Sequence, residues 1–367
     1  MEKRTALILG GCGFIGRNLL DFLITNNLVQ FVRIVDKVPP QVAWLNSRHQ
    51  ELFNNPIVEF KSANLINNES CKNAFASSTQ VDCWDYVINC AGETKLGHTD
   101  PVYKEGILKL SINCASQAAL KQVKCYVEIS SGQMMSSEKT PHKEDSQTQP
   151  WTMIAAWKKK AEDEIKNIEN LNYVILRPAI VYGIGDKTGL TPRILGAAIY
   201  KQLGETMKLL WNADLGFNTL HVEDLCRAIW FVCQNSNSVG QVFNVVDDSN
   251  SNQGSISDLL IDLFHINVGY YGNMLSSVVD IAAAADEAND KHLGPWAEAC
   301  RADGIENTPL SPHMDPELLL NKHLRLDGSK LKNFGFQLKW PKLTCEKIKE
   351  IIDDYIDMKI FPHCLRP

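Results

Sequence analysis

The 367-residue sequence has no apolar run approaching the roughly 20 residues that cross a bilayer, which sets aside a membrane-spanning protein. It has no cationic excess. Its 37 Lys and Arg stand against 43 Asp and Glu, and a net charge of −6 argues against a chain built to grip nucleic acid. Its 11 cysteines are odd in number and include no Cys-x-x-Cys pair, so a disulfide scaffold is not indicated. Cys90, Cys125, Cys226 and Cys233 lie in apolar stretches and read as buried thiols, which fits a reducing, cytoplasmic setting. The start, Met1-Glu2-Lys3-Arg4-Thr5, runs straight into Ala6-Leu7-Ile8-Leu9, too short an apolar stretch for a secretory leader. There is no His-Glu-x-x-His, no zinc-spaced cysteine–histidine cluster and no Gly-x-Ser-x-Gly elbow. His313 and His323 are too far apart for a recognised ligand pair, so no metal is expected.

What is present is an ordinary apolar share of 44%, enough for a full core, and a length suited to about two domains. Short apolar runs at Thr5–Leu9, Phe31–Val35, Ile57–Phe60, Tyr86–Cys90, Cys125–Ile129 and Tyr173–Leu176 suit buried strands. Helix-like stretches at Gly16–Thr25, Gly106–Gln122 and Trp151–Ile168 separate them, and this alternation predicts an α/β fold with a doubly wound parallel sheet. After Arg177-Pro178 the rhythm breaks, with one strand returning at Val242–Val246. The expected organisation is a first domain over 1–178, rejoined by 221–234 and 242–246, and a smaller substrate or lid portion over 179–367. The segment 269–324, rich in proline, is expected to be an irregular excursion over the cleft. Cys345–Met358 places Ile348, Ile351, Ile352 and Tyr355 at helical spacing and reads as a docking face.

Gly10-Gly11-Cys12-Gly13-Phe14-Ile15-Gly16 follows the first strand and opens the first helix. Glycines at 10, 13 and 16 permit a tight turn, close backbone approach to a pyrophosphate and close helix packing. Asp36 closes the second strand about 20 residues further on, where a carboxylate accepts from ribose hydroxyls and repels a 2′-phosphate. The pattern predicts a dinucleotide site with NAD favoured over NADP, although Lys37 and Arg33 leave NADP open.

The glycine spacing resembles the extended short-chain dehydrogenase/reductase family, which holds NAD-dependent epimerases and dehydratases. Further motifs carry the resemblance along nearly the whole chain. Asn64-Leu65 is similar to the family's adenine-contacting pair, Asn89-Cys90-Ala91-Gly92 to its cofactor-lining loop, and Asn113 to its helix asparagine. Ile129-Ser130-Ser131 resembles the segment whose second hydroxyl polarises substrate. Leu176-Arg177-Pro178 with Tyr182-Gly183 resembles the Arg-Pro-x-x-x-Tyr-Gly signature, and Leu220-His221-Val222-Glu223-Asp224 the His-Val-x-Asp segment. The resemblance implies a Rossmann-type fold and a cofactor site from Gly10, Gly13, Phe14, Ile15, Gly16, Asp36, Asn64, Leu65, Ala91, Gly92, Lys158 and Pro178.

Members of that family use Tyr-x-x-x-Lys, the tyrosine moving a proton while hydride moves to or from NAD, with both side chains one helical turn apart. Lys158-Lys159-Lys160-Ala161-Glu162 resembles the family's lysine run, but Ile154 stands four residues before Lys158. No tyrosine occurs between Tyr126 and Tyr173. Losing such a group typically removes roughly 10²–10⁴-fold of rate. Ser131 and Lys158 remain as catalytic candidates, and Glu93, directly after the fourth-strand loop, is a candidate proton carrier whose plain alternative is a surface ion pair with Lys95. Lys159 and Lys160 read as a solvated face, Tyr182 and His221 as structural, and Cys12 as a small loop residue with redox sensing as a minor alternative. Two functions follow. One is an atypical oxidoreductase, epimerase or dehydratase with an impaired relay, acting on an alcohol, carbonyl or sugar-like small molecule. The other is a non-catalytic NAD(H)-binding regulator or scaffold. Ile154, Trp157, Ala161, Ile165 and Ile168 form a stripe that fits either the sheet or a partner, which leaves a homodimer open.

Overall fold

Runs of residues buried on both sides form the centre of the fold. The computed structural model describes residues 4–78, 80–136 and 140–367; Met1, Glu2 and Lys3, part of the expected lead-in to the first strand, lie outside the described residues. The strands are β1 (Thr5–Leu9), β2 (Phe31–Asp36), β3 (Val58–Ser62), β4 (Tyr86–Asn89), β5 (Cys125–Ile129), β6 (Tyr173–Pro178), β7 (Ile180–Tyr182), β8 (Met207–Leu209), β9 (Thr219–His221), β10 (Gln241–Val245) and β11 (Val268–Tyr270). Seven form one sheet in the order β10-β6-β5-β4-β1-β2-β3, with every pairing parallel. Leu9 stands level with Val35 on one side and Asn89 on the other. The chain leaves β1 in both directions there, and ligands of such sheets bind in the crevice at that reversal. Two short parallel pairs, β7 with β9 and β8 with β11, lie outside the main sheet.

The helices are α1 (Phe14–Thr25), α2 (Ser47–Leu52), α3 (Asn68–Ala74), α4 (Asp100–Tyr103), α5 (Leu110–Leu120), α6 (Met153–Lys166), α7 (Thr191–Leu203), α8 (Val222–Gln234), α9 (Gln253–Phe264), α10 (Gly272–Ser276), α11 (Ile281–Ala302), α12 (Ser329–Asn333) and α13 (Cys345–Asp357). Successive strand residues face opposite layers. Ala6 and Ile8 pack with Leu19 and Leu23 of α1 and Leu225 and Ile229 of α8. Leu7 and Leu9 pack with Cys114 and Ala118 of α5 and Ile165 of α6. α8 and β10 thus belong to the first layered unit, although they follow β6 by a long excursion. A separate core joins Leu195 of α7, Phe264 of α9, Trp296 of α11 and Ile351, Ile352 and Tyr355 of α13. Of the α6 stripe, Trp157, Ala161 and Ile165 are buried within the chain, while Ile154 and Ile168 are half-buried.

Two expectations need correction. The segment 269–324 is not irregular throughout, because α11 alone runs for 22 residues. Asp280 caps it by accepting from the N–H groups of Ala282 and Ala283, and its first turns are alanine, the strongest helix former. Its buried side, Ala285, Asn289, His292, Trp296 and Ala299, keeps helical spacing without a run of large apolar residues, and Pro295 sits inside the helix. The helix expected over 106–122 begins earlier, at Asp100, and contains a π turn at Lys104–Lys109 before α5 ends at Leu120. π turns inside helices often mark functional sites.

Candidate functional site

At the carboxyl ends of β1, β2, β4, β5 and β6 lies one cleft of about 820 Å³. The glycine loop forms one wall. Gly10 has φ +76°, and a Cβ there would stand 2.6 Å from the backbone nitrogen of Ala91; a Cβ on Gly16 would stand 2.4 Å from the Gly10 carbonyl oxygen. Gly10 donates to the Val35 carbonyl at 2.7 Å, which hangs the loop from β2. Arg17 fastens the other side by donating to the carbonyls of Gly13, Trp44, Cys12 and Ala43. Helix α1 starts at Gly13 with no side-chain cap, and Gly13, Phe14 and Ile15 line the cleft. Its first turn therefore offers N–H groups and the positive end of the helix dipole to whatever enters.

Asp36 lies at the far end of the same wall. One carboxylate oxygen accepts from Cys12 N–H and the other from Val38 N–H, both at 3.0 Å, so the acid also braces the loop. Asn64 and Leu65 line the cleft beyond it. The Asn113 amide donates to the Leu65 and Ile66 carbonyls, each at 3.0 Å, and fixes this segment from α5. Burial, helped by Asp36, pushes the Cys12 thiol up to about 12, so it is held as an inert thiol rather than as a reactive thiolate.

On the opposite wall stand Cys90, Ala91, Gly92, Glu93, Thr94, Ser131 and Pro178, joined by Gln133, which the sequence did not single out, and Ile180. The π turn shapes this wall, because the Gly106 carbonyl accepts Glu93 N–H at 3.0 Å. One oxygen of Glu93 accepts from Thr94 N–H and Lys95 N–H. Ser131 Oγ accepts from Gln133 N–H at 3.1 Å. Of the residues singled out for the cofactor and the chemistry, Gly16, Lys158 and Ile154 are not among the lining residues described.

Lys158 lies under the floor instead. Its Nζ donates to the Ile129 carbonyl at 2.8 Å, lies 3.4 Å from Glu128 Oε1, and would be 3.5 Å from a Cβ on Gly92. Glu128, fully buried in β5, also accepts from Ser111 Oγ at 2.8 Å, Asn89 Nδ2 at 2.7 Å and Tyr126 OH at 2.6 Å. Ile154 is half-buried against a small apolar cluster of Tyr103, Ile107 and Trp157.

Several motif residues have structural partners. Ser130 Oγ donates to Glu162 at 2.5 Å, and Arg177 grips the same carboxylate with two bonds of 2.9 and 2.6 Å. Lys159 pairs with Asp163, and Lys160 lies 3.5 Å from the Trp157 ring centre. His221 accepts from Glu223 N–H and packs edge-on against Tyr182; burial lowers it to about 4 and keeps it neutral. Among the described residues no group of three or more His, Cys, Asp or Glu is arranged to hold a metal ion, and no helix is long and apolar enough to cross a membrane.

A parallel seven-stranded sheet with a glycine loop at its reversal point defines a Rossmann-type α/β protein. The family model for the NAD dependent epimerase/dehydratase family matches residues 6–245, and the chain belongs to that family. The family is NAD-dependent. No curated protein sequence matches the chain significantly. Similar solved structures include the dTDP-glucose 4,6-dehydratase of Streptomyces venezuelae with NAD bound (16% identity, TM-score 0.69, 96% of this chain and 97% of that one). The UDP-glucose 4-epimerase of Thermus thermophilus in complex with NAD is another (16%, TM-score 0.63, 98% of each). A third is the UDP-glucose 4-epimerase of Thermotoga maritima with UDP-glucose (19%, TM-score 0.64, 96% and 98%). Identities this low speak to the fold.

Proposed function

We propose that the chain binds NAD(H) and is an atypical oxidoreductase of the epimerase/dehydratase type, with an impaired tyrosine–lysine relay and a small alcohol, carbonyl or sugar-like ligand. The observation that carries this reading is the uncapped start of α1 opening into the same cleft as Asp36 and Ser131. In this reading the N–H groups of Gly13, Phe14 and Ile15 hold the pyrophosphate, with Gly10 and Gly16 keeping the loop close. Asp36 accepts from the adenosine ribose, and Asn64 and Leu65 flank the adenine. Ala91, Gly92 and Pro178 flank the nicotinamide half, with Lys158 beneath Gly92. The portion after β6 would cover the ligand, and contact between Glu317 and the Met153 N–H at the start of α6 supports that placement.

NAD, when bound, supplies a hydride acceptor. Oxidising an alcohol to a carbonyl also frees the hydroxyl proton, which needs a carrier in the chain. Ile154 has no titratable atom, Ser131 is suited to orient the oxygen, and Lys158 is engaged below the floor. Of the other carboxylates lining the cleft, Glu105 pairs with Lys109 and Asp186 accepts from the N–H groups of its own loop, so Glu93 is the carrier in this reading. The engagement of Lys158 by Glu128 favours the second reading, a non-catalytic NAD(H)-binding regulator or scaffold. Titrating the protein with NADH tests the cofactor site: wild type should bind saturably, and Asp36→Ala, with unchanged circular dichroism, should bind on the order of tenfold more weakly. No binding of NADH or NADPH would end the reading. Turnover of alcohols or sugars by wild type selects the enzyme; turnover only in Ile154→Tyr, or in neither, selects the regulator.

A further inference from the structure

Among the described residues the two most exposed large apolar side chains, Met274 (85%) and Val278 (82%), lie four positions apart in one stretch. Leu275, Val279, Tyr270 and Tyr271 of the same stretch are exposed as well. Residues 266–279 include no Asp, Glu, Lys, Arg or His. The backbone here is pinned to the body of the chain. Tyr271 N–H donates to the Leu209 carbonyl at 3.0 Å, Gly272 N–H to the Trp211 carbonyl at 3.1 Å and Asn273 N–H to Asn212 Oδ1 at 3.2 Å. Ser276, which is buried, accepts from Trp211 N–H at 2.7 Å. These bonds fix α10 with its apolar side chains turned outward, and none of its residues lines the cleft. Single apolar residues on a surface are ordinary, whereas a contiguous set of this size marks an interaction face.

The charges around the face decide what covers it. Lys208 Nζ lies 5.7 Å from the Tyr271 ring centre, Asp280 ends the stretch and caps α11, and Lys291 pairs with Glu205, so the rim is balanced in sign. Further along, α11 exposes Asp286, Glu287 and Asp290, which an anionic bilayer repels, and the stretch has none of the Lys and Arg that lipid-surface helices use. A second copy of the chain suits the face better. A two-fold axis sets a patch against itself, so a charged face repels its copy and an uncharged one does not. With a net charge of −6, two copies meet at least electrostatic cost on such a patch. The neighbouring strand adds a second feature. Asn267 and Tyr271 turn their backbone groups to β8, which leaves those of Val268 and Tyr270 on the side where no strand lies among the described residues. A free, uncharged edge is a template for a strand of another chain, and a two-fold axis supplies the same strand antiparallel. The six side chains expose on the order of 600 Å² and, with the exposed Asn273 and Ser277, approach the roughly 800 Å² that each partner of a standard interface buries.

We propose that residues 270–279 form a homodimer face, on which a second copy of this chain packs its own α10 about a two-fold axis. The face is distinct from the α6 stripe and from the cleft, and the proposal stands whether or not the cleft binds NAD(H).

The test measures the mass of the full chain in solution by sedimentation, with a reductant present because Cys83 and Cys364 are exposed. Wild type is expected to be a dimer at about 50 μM. The double variant Met274→Asp/Val278→Asp, with unchanged circular dichroism, sets like charges face to face across the axis and is expected to weaken the dimer by roughly a hundredfold or more. Val278→Asp alone is expected to weaken it by roughly tenfold. Leu120→Asp, at an exposed apolar position of α5, is expected to leave the dimer intact. A monomeric wild type overturns the proposal. So does a dimer that the Met274 and Val278 variants keep, or one that Leu120→Asp dissolves. The same proteins are then spun with phosphatidylcholine vesicles, with and without phosphatidylserine, and no binding is expected. Vesicle binding by wild type that the double variant loses assigns the face to a lipid surface and overturns the proposal as well.

Discussion

Glu128 is a carboxylate with no solvent exposure in the middle of a parallel strand, where the neighbouring β5 residues are apolar or aromatic. Burying it is tolerable because Ser111, Asn89, Tyr126 and Lys158 supply a donor each, so that both oxygens are occupied. The arrangement makes a definite claim about Lys158. Its charge is balanced from below, and removing Glu128 leaves a buried ammonium with only the Ile129 carbonyl. Glu128→Leu should therefore cost about 3–5 kcal/mol in urea unfolding, the usual range for a buried charge stripped of its partner. Lys158→Met should cost less, since three neutral donors still satisfy Glu128. The double variant should recover much of the loss, which a double-mutant cycle measures directly. A cost under about 1 kcal/mol for Glu128→Leu would mean that Lys158 is free to serve the cleft.

At the scale of the element, the glycine loop depends on close approach. A Cβ on Gly16 would lie 2.4 Å from the Gly10 oxygen and 2.5 Å from Gly11 Cα, both backbone atoms that cannot swing away. Gly16→Ala should push α1 off the loop, destabilise the chain by about 1–3 kcal/mol and abolish NADH binding, whereas Gly204→Ala tests only the cost of a positive φ, as nothing lies near its Cβ. Elements of this kind were legible in the sequence, because strand runs buried on both faces and glycines at fixed spacing are local patterns. What stayed hidden is long-range or lacks a strong period. The pairing of Lys158 with a strand residue 30 positions away leaves no local trace. Helix α11 buries Asn289 and His292 where a periodicity search looks for leucine, and its Pro295 reads as a breaker. The π turn that carries Gly106 to Glu93 is one extra residue in an otherwise helical run. Ser130, Arg177 and Glu162 match family motifs, yet only their contacts reveal that they form one buried ion-pair network.

Across the whole molecule, the sheet unit and the later core meet along a seam that carries titratable groups with opposite responses to pH. His49 of α2 is buried there beside Arg17, while Asn46 of the same turn donates to Asp354 of α13 at 2.7 Å. Burial, then Arg17, lowers His49 from 6.5 to about 4. The folded chain thus refuses a proton that the unfolded chain accepts, so this group's contribution is complete above pH 6.5 and is lost as pH falls towards 4. Asp247, just after β10, runs the other way. Burial raises it from 3.8 to about 6 against the hydrogen bonds from Thr219 and Ser249. The folded chain keeps its proton longer, so its contribution is complete below pH 3.8 and is lost as pH rises through 6. Comparing variants isolates the two signs from every other group. Between pH 7.5 and 4, His49→Gln should gain on wild type by about 3 kcal/mol; between pH 4 and 7, Asp247→Asn should gain by about 3 kcal/mol in the opposite direction. Urea midpoints at four pH values are sufficient to measure both. Parallel profiles for wild type and His49→Gln would show that the seam admits water and protons at His49, and that the sheet unit and the later core are less tightly joined than their contacts indicate.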